Sequence, residues 1–446
     1  MRLFEFLLFI EVCLVILWLV ANRRIRSKSI LAVVLLIPFG LHYYLEGIRW
    51  QMFFIYAISL LVLVVNINRW RNTIFRKVIL LTVLLCVLVS GAVGILIPVF
   101  EFPELVSKYK VGTYDLTLKD ARGKHRDVLV KFWFPTTQKE GEYSKYHQNE
   151  ERSLDGLMGM PNFVFGHLNL VETRAYNTME VIEDSSKFPL VIYSHGAAST
   201  NLDNTALLQE IAGTGYVVMA IDHDFSFERY GLNRSDATTL TFDAQKKFIQ
   251  DLVQKVVPNQ VNDVLFSLQN IKSKDFFLAD HINFEQVALI GHSLGGTTAT
   301  VAGVESQSVK SVINIDGPIS PESTEEFDRP FLYISSFSPE LPDDVLKEKN
   351  LPDVELYQKI KKLELEGVKK LVEKNTLGSH WVRFKNAGHM DFTDIPFLIP
   401  IMTTKGYDKQ KEHTLKSRVI IDFLNFSVKE SHNFIKEKNH SLEWIQ

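Results

Sequence analysis

Cysteine is nearly absent from this 446-residue chain, and the two present, Cys13 and Cys86, both lie inside apolar runs. The remainder therefore has neither a disulfide framework nor a thiolate metal site, and its fold must be held by burial alone. A surplus of charge is missing as well. Lysine and arginine number 49 against 52 acidic residues, a formal net charge of -3, which argues against general nucleic-acid binding. Charge is also unevenly placed: it concentrates after the first hundred residues, leaving the N-terminal part unusually apolar. The length exceeds one ordinary domain. Two units are expected, a membrane region over 1–100 and a polar domain over 101–446.

Four apolar stretches follow one another in the first unit: Leu3 to Val20, Ile30 to Leu45, Trp50 to Ile67 and Val78 to Phe100. A bilayer crossing needs about 20 apolar residues, so about four transmembrane helices are expected, the second kinked by Pro38, Gly40 and His42. A cleaved signal peptide fits less well, because the first run has no small-residue cleavage site and a basic cluster follows it. Arg23, Arg24, Arg26 and Lys28 follow the first run, and Arg69, Arg71, Arg76 and Lys77 follow the third. The positive-inside tendency puts these connections in the cytoplasm, and both termini with the polar domain on the extracytoplasmic face of the cell membrane.

From Val111 onward, short β-branched and aromatic runs alternate with helical periodicity. Strands are expected at Gly112 to Leu118, Val128 to Phe134, Leu190 to Ser194, Val217 to Ile221, Val287 to Gly291, Val312 to Asp316, Phe331 to Ser335 and Trp381 to Lys385. Helices are expected over Asn204 to Ala212, Phe242 to Val256, Gln260 to Ile271, Leu294 to Val304 and Thr414 to Val428. The pattern predicts a mostly parallel eight-stranded sheet flanked by helices, with ligands bound beyond the carboxyl ends of the strands. The charged stretch Pro342 to Lys374 reads as a solvated helical insertion, with a substrate-gating cap as the other reading. Gly156 to His167 is apolar and serves either as a wall of an acyl pocket or as a core-packing loop.

The chemistry is carried by Val287-Ala-Leu-Ile-Gly-His-Ser-Leu-Gly-Gly296, an apolar strand running through G-x-S-x-G into a helix. Small residues at Gly291, Gly295 and Gly296 permit a tight turn that projects Ser293, the nucleophile elbow of an α/β-hydrolase fold. A serine hydroxyl needs an adjacent base. His389, in a turn after the last expected strand, fits the order Ser, acid, His. His380 precedes that strand, His292 points into the fold, and His413, His432 and His440 belong to a solvated C-terminal helix and tail. Asp316, at a strand end before Gly317-Pro318, is the favoured acid, with Glu340, Asp343 and Asp344 as competitors. Oxyanion donors are expected from the backbone N–H groups of Leu294 and of Ala197, which follows Ser194-His-Gly196. A metal site from His195, Asp222, His223 and Asp224 lacks supporting spacing, so no metal or cofactor is expected.

At Ser194-His-Gly196, Gly291-His-Ser-Leu-Gly-Gly296, Asn314-Ile-Asp316-Gly-Pro-Ile-Ser-Pro321, and His389 with Phe392 and Asp394 behind it, the chain resembles the platelet-activating factor acetylhydrolase family, plasma-type branch. The resemblance runs from about Val111 to Val428. It implies a serine carboxylic ester hydrolase with Asp316 as the acid and Leu294 and Ala197 as the oxyanion hole. Its substrates would be esters with short or oxidised acyl chains, phospholipids included; the four apolar runs lie outside the resemblance, and it is they that give the lipid bilayer as a partner. Two other classes use the same residues: an acyltransferase that passes the acyl group to an alcohol or amine, and a non-enzymatic membrane receptor that keeps the fold.

Overall fold

The computed structural model describes the chain except residues 22–26, 65–72, 120–125, 148–161, 184–186, 224, 226–228, 233–240, 274, 320–326, 349–352, 376 and 432. It begins with helices α1 (Leu3–Val20), α2 (Lys28–Leu45), α3 (Phe53–Val64) and α4 (Thr73–Leu96). Two of them correct the expectation of about four transmembrane spans. Among the described residues, only Leu3–Val20 and Ile74–Leu96 are long and apolar enough to cross a bilayer, while Ser29–Leu45 and Trp50–Val62 are shorter apolar helices. The second run contains Pro38 inside its helix, and the third loses its first turn to a separate 3-10 helix at Trp50–Met52. The basic connections after the first and third runs lie mostly outside the described residues.

This bundle is apolar on its surface, and inside it an apolar core around Leu8, Val12, Ile16 and Ile55 is joined by a set of buried polar groups. Leu3, Leu14 and Trp18 on α1, and Ile74, Leu85 and Ile95 on α4, are exposed. Glu5, His42, Arg49, Ser59 and Ser90 are buried. Arg49 forms a two-pronged pair with Glu5, Nε to Oε1 and Nη2 to Oε2, both at 2.7 Å. It also donates to the carbonyls of Gly94 and Ile97 at the end of α4. His42 Nε2 bonds the Tyr56 hydroxyl at 2.6 Å and its Nδ1 bonds Glu46 at 3.0 Å. One network thus joins the start of α1, the end of α2, the start of α3 and the end of α4. Charges this deeply withdrawn from solvent persist because they are paired and hydrogen-bonded, Glu5 by both Arg49 and Arg2, whose Nη2 lies 2.7 Å from Glu5 Oε1.

The remainder forms one sheet of eleven strands: β1 (Lys110–Leu118), β2 (Val128–Thr136), β3 (Tyr143–Lys145), β4 (Glu172–Asn177), β5 (Phe188–Ser194), β6 (Val217–Asp222), β7 (Ile282–His292), β8 (Val309–Ile315), β9 (Phe331–Ser335), β10 (Ser379–Phe384) and β11 (Leu442–Trp444). Their spatial order is β11-β10-β9-β8-β7-β5-β6-β2-β1-β4-β3. From β6 through β10 every neighbouring pair is parallel, whereas β2 is antiparallel to both β1 and β6. This is a mostly parallel α/β-hydrolase-like fold, wider than the eight strands expected. The additions are the three-residue edge strands β3 and β11 and the polar β4 just inside β3, none with a continuous apolar run.

Helices cover both faces. On one lie α5 (Thr205–Gly213) and, late in the chain, α12 (Lys409–Ser427). On the other lie α6 (Phe242–Lys255), α7 (Val257–Asn270), α8 (Leu294–Glu305) and part of the insertion, where α9 (Asp343–Glu348) precedes α10 (Val354–Lys374). A short α11 (Ile395–Leu398) follows the turn carrying His389. The pleat of β7 shows the division: Val287 and Leu289 pack toward α7 and α8, while Ala288 and Ile290 pack toward α5 and α12. Each fully buried Val, Leu or Ile contributes about 1.5–3 kcal/mol, which makes this two-sided core the main source of rigidity beneath the strand ends.

Among the described residues, the bundle meets the sheet domain through Trp50. Trp50 Nε1 donates to the carbonyl of Val164 at 3.1 Å, and its ring meets Phe163 edge-on at 5.6 Å. Both partners belong to a 3-10 segment, Asn162–Leu170, whose Phe165 and Leu168 are buried with Phe100, Tyr146 and Leu398.

Candidate active site

Three strand ends and one turn deliver the polar groups. β7 ends at His292 and α8 starts at Leu294, so Ser293 sits alone at the bend, with φ 55° and ψ -127°. A side chain rarely tolerates that conformation, and its presence marks a site where tertiary packing overrides local preference. The packing is visible in the glycines: a Cβ on Gly291 would lie 2.0 Å from the Gly295 oxygen, and one on Gly295 would lie 2.0 Å from the Ser194 oxygen. The Ser293 amide is held by the Ile315 carbonyl at 2.8 Å.

Ser293 Oγ lies 2.9 Å from His389 Nε2, and His389 Nδ1 lies 2.8 Å from Asp316 Oδ2. A carboxylate only accepts, so Nδ1 carries the proton and Nε2 is free to accept from the serine hydroxyl. Asp316 directly follows β8, is buried, and also takes up the left-handed region, with φ 55°. Its Oδ1 accepts from the Ser336 amide at 3.0 Å and from Lys361 Nζ at 2.8 Å. Burial would raise its pKa, but the Lys361 ammonium, with His389, holds it well below the ordinary carboxylate range. Lys361 lies on α10, inside the stretch read from sequence as a solvated insertion, and is itself buried. Burial works against its charge, yet Asp316 and Glu364, whose Oε2 is 3.3 Å away, keep its pKa well above normal. The competing acids lie elsewhere: Asp343 and Asp344 begin α9, and Glu340 is exposed in the preceding turn.

The turn carrying His389 is braced from two sides. The His292 ring is buried, 4.7 Å from the His389 ring, and its Nε2 donates to the His389 carbonyl at 3.0 Å. Burial, with His389 beside it, pushes its pKa well below normal, so it serves as a neutral donor. On the other side Asp391 accepts from the Gly388 amide at 2.7 Å and from the Thr404 amide at 3.2 Å. Asp394, further along, accepts from Ala206 N in the first turn of α5.

The loop after β5 comes close to Ser293: a Cβ on Gly196 would lie 3.1 Å from that of the serine. Ala197 follows, and with Leu294 and Ser293 it lines a common cavity. His195 anchors this loop, since its Nδ1 bonds the Gly196 carbonyl at 2.7 Å and its Nε2 accepts from the His223 amide at 3.0 Å. His223 is in turn engaged by Asp263 and Ser194. These internal bonds account for the ring nitrogens of both histidines; Asp224 lies outside the described residues.

Other histidines fall away from Ser293. His380 is within β10, packed against Phe434 and Trp444 at the far edge. His413, expected to be solvated, is instead buried on α12 against Phe397, and burial pushes its pKa down to about 3. His440 is exposed, and His432 lies outside the described residues.

Two cavities flank the pair of Ser293 and His389. One of about 170 Å³ is lined by Tyr146, Leu168, Leu202, Met390 and Leu398. The other, about 340 Å³, lies between α6 and α10 and is lined by Ile249, Leu252, Leu356, Ile360 and Lys361. Of the apolar segment Gly156 to His167, residues 156–161 lie outside the described residues, while Phe165 packs under the smaller cavity. Sequence reasoning missed Lys361 and the bracing by Asp391. The only signal for Lys361 was its place on the same helix face as Val354, Tyr357 and Val368, at spacings of seven and four.

Comparison with known proteins agrees with this fold. Platelet-activating factor acetylhydrolases from Canis lupus familiaris and Bos taurus are 23% and 22% identical over 294 and 303 residues, each match covering 57% of this chain. The chain spans 65% of the length of either relative. Among solved structures, a ferulic acid esterase from Streptomyces cinnamoneus superposes with a TM-score of 0.59 at 19% identity, covering 78% of this chain and all of its own. The family model described as platelet-activating factor acetylhydrolase, isoform II, matches residues 96–247 and 247–444, and on that coverage the chain belongs to this family.

Proposed function

We propose that this chain is a membrane-anchored serine carboxylic ester hydrolase that works through an acyl-enzyme. The observation that carries the reading is the unbroken relay from Ser293 Oγ through His389 to Asp316, at 2.9 and 2.8 Å, with the serine held in a strained bend. His389 Nε2 takes the hydroxyl proton as Ser293 Oγ bonds to the ester carbonyl carbon. The amides of Leu294 and Ala197 receive the oxyanion, an interaction whose loss typically costs about 10²–10³ in rate per donor. The proton then passes to the leaving alkoxide as the ester C–O bond breaks. Water, deprotonated by the same imidazole, attacks the acyl carbon and releases the acid. Every proton and bond is accounted for by these groups and water, with no metal or cofactor.

The smaller cavity suits a short acyl chain, and the relatives' name, an acetylhydrolase, points the same way. A phospholipid-like ester is the substrate class favoured by a site placed beside an apolar bundle. That bundle supports anchoring because its surface is apolar while Glu5, His42 and Arg49 are turned inward, an arrangement stable in lipid and costly in water. The basic connections favour an extracytoplasmic site.

Labelling of the full chain by a serine-directed fluorophosphonate should be strong, and Ser293→Ala should abolish it. Equal labelling of both proteins, or of neither, sinks the hydrolase reading. Release of free acid from an acetyl ester in the presence of an acceptor alcohol separates hydrolysis from acyl transfer. A reporter fused beyond residue 446 should be active only outside the cell; cytoplasmic activity reverses the orientation.

A further inference from the structure

The insertion between β9 and β10 does more than line a cavity. Its helix α10 carries one lysine whose ammonium is withdrawn from solvent and directed at the carboxylate serving the proposed base. We propose that Lys361 is a positioning residue that fixes Asp316 against His389 and sets the pH at which His389 can accept the serine proton. The inference rests on the hydrolase reading above.

Asp316 uses both oxygens. Oδ2 takes the His389 proton, and Oδ1 is shared by the Ser336 amide and the Lys361 ammonium, so the carboxylate cannot rotate without breaking the ion pair. In a serine relay the acid stabilises the imidazolium formed when the serine is deprotonated. A full positive charge on the opposite oxygen opposes that stabilisation, because like charges in a shared low-dielectric site disfavour each other. Lys361 therefore keeps Asp316 ionised while weakening the carboxylate's pull on a proton at His389 Nε2.

The groups facing this centre are few. Around His389 lie Asp316, Ser293 and the neutral His292. Around Lys361 lie Asp316, Glu364, and the phenols Tyr333 and Tyr357, whose pKa values are raised by burial. Glu364 partly offsets the lysine from the solvent side. It supplies a second handle: removing its charge strengthens the lysine's field, whereas removing the lysine abolishes it.

The test is the pH profile of kcat/KM for acetyl-ester hydrolysis by the full chain in detergent. Lys361→Met should move the acidic limb upward by about one pH unit, and Lys361→Arg should restore the native limb. Glu364→Gln should move the limb the other way by a smaller amount. Native limbs in both Lys361→Met and Glu364→Gln, even with a reduced plateau, would mean that the lysine only supports α10 and would overturn the proposal. Should Lys361→Met fail to fold, Glu364→Gln decides alone: a downward limb supports the proposal and an unmoved one rejects it. Loss of Ser293-dependent turnover in the native chain would instead indicate failure of the hydrolase reading.

Discussion

The two halves of the chain both bury an apolar core but expose opposite things. In the helical bundle Leu14 and Ile74 face outward while Glu5 and Arg49 are sealed within. In the sheet domain Ile290 and Val312 are sealed within, and most charged residues lie outside. Both arrangements obey one rule, that a side chain faces whatever solvates it better than the alternative. The difference teaches which solvent each half was built for. It also shows that a buried ion pair can be the organising contact in one region and the tuning contact in another.

The largest effect should come from breaking the bundle's charge pair. Arg49→Leu leaves buried Glu5 with Arg2 as its remaining cation and removes the donors to the Gly94 and Ile97 carbonyls, and should destabilise the bundle by about 3 kcal/mol, the lower end of the cost of breaking a buried pair. The double variant with Glu5→Leu should recover most of that loss; thermal unfolding in detergent reads both. Comparable in size is the sheet core, where Ile290→Ala, at a fully buried position, should cost about 2–5 kcal/mol by denaturant titration.

A pH series gives a smaller and graded effect. His413 is held neutral, with its pKa pushed down to about 3, whereas an unfolded histidine titrates near 6.5. Below that value the unfolded state takes up a proton that the folded state refuses. Stability from this group is therefore full above about pH 6.5 and falls by about 1.4 kcal/mol per unit as pH drops toward 3. His413→Phe should flatten that slope without changing stability at pH 8 by a comparable amount. The smallest effect belongs to the bundle surface: Leu14→Ser, at a side chain 61% exposed, should shift stability in detergent by no more than about 0.5 kcal/mol. A Leu14 loss as large as that of Ile290 would dissolve the contrast between the halves.

How much was legible beforehand follows the same division. Strands β5, β6 and β9 and the second halves of β7 and β8 are buried on both faces, so they read as largely apolar runs, and the bend after β7 announced itself through its glycines. By contrast β4, Glu-Thr-Arg-Ala-Tyr-Asn, next to the sheet's edge, has a composition that looks like a loop, and three-residue strands such as β3 and β11 leave no periodic trace. Ser293, Asp316 and His389 could be named because each sits at a strand end or turn with its own local signal. Lys361 could not: a lysine among lysines and glutamates looks solvated until the fold presses that helix face against Asp316. In the bundle, hydrophobicity located all four helices but not which of them had the length to cross a bilayer.

The contact between Trp50 and the Asn162–Leu170 segment has a practical corollary. Leu168 of that segment lines the smaller cavity beside Ser293, so the helical bundle packs against a wall of that cavity. A fragment trimmed to begin at residue 101 for easier handling would lose the indole bracing this wall from behind. Comparing its acyl preference with that of the whole chain would measure how far the bundle shapes that cavity.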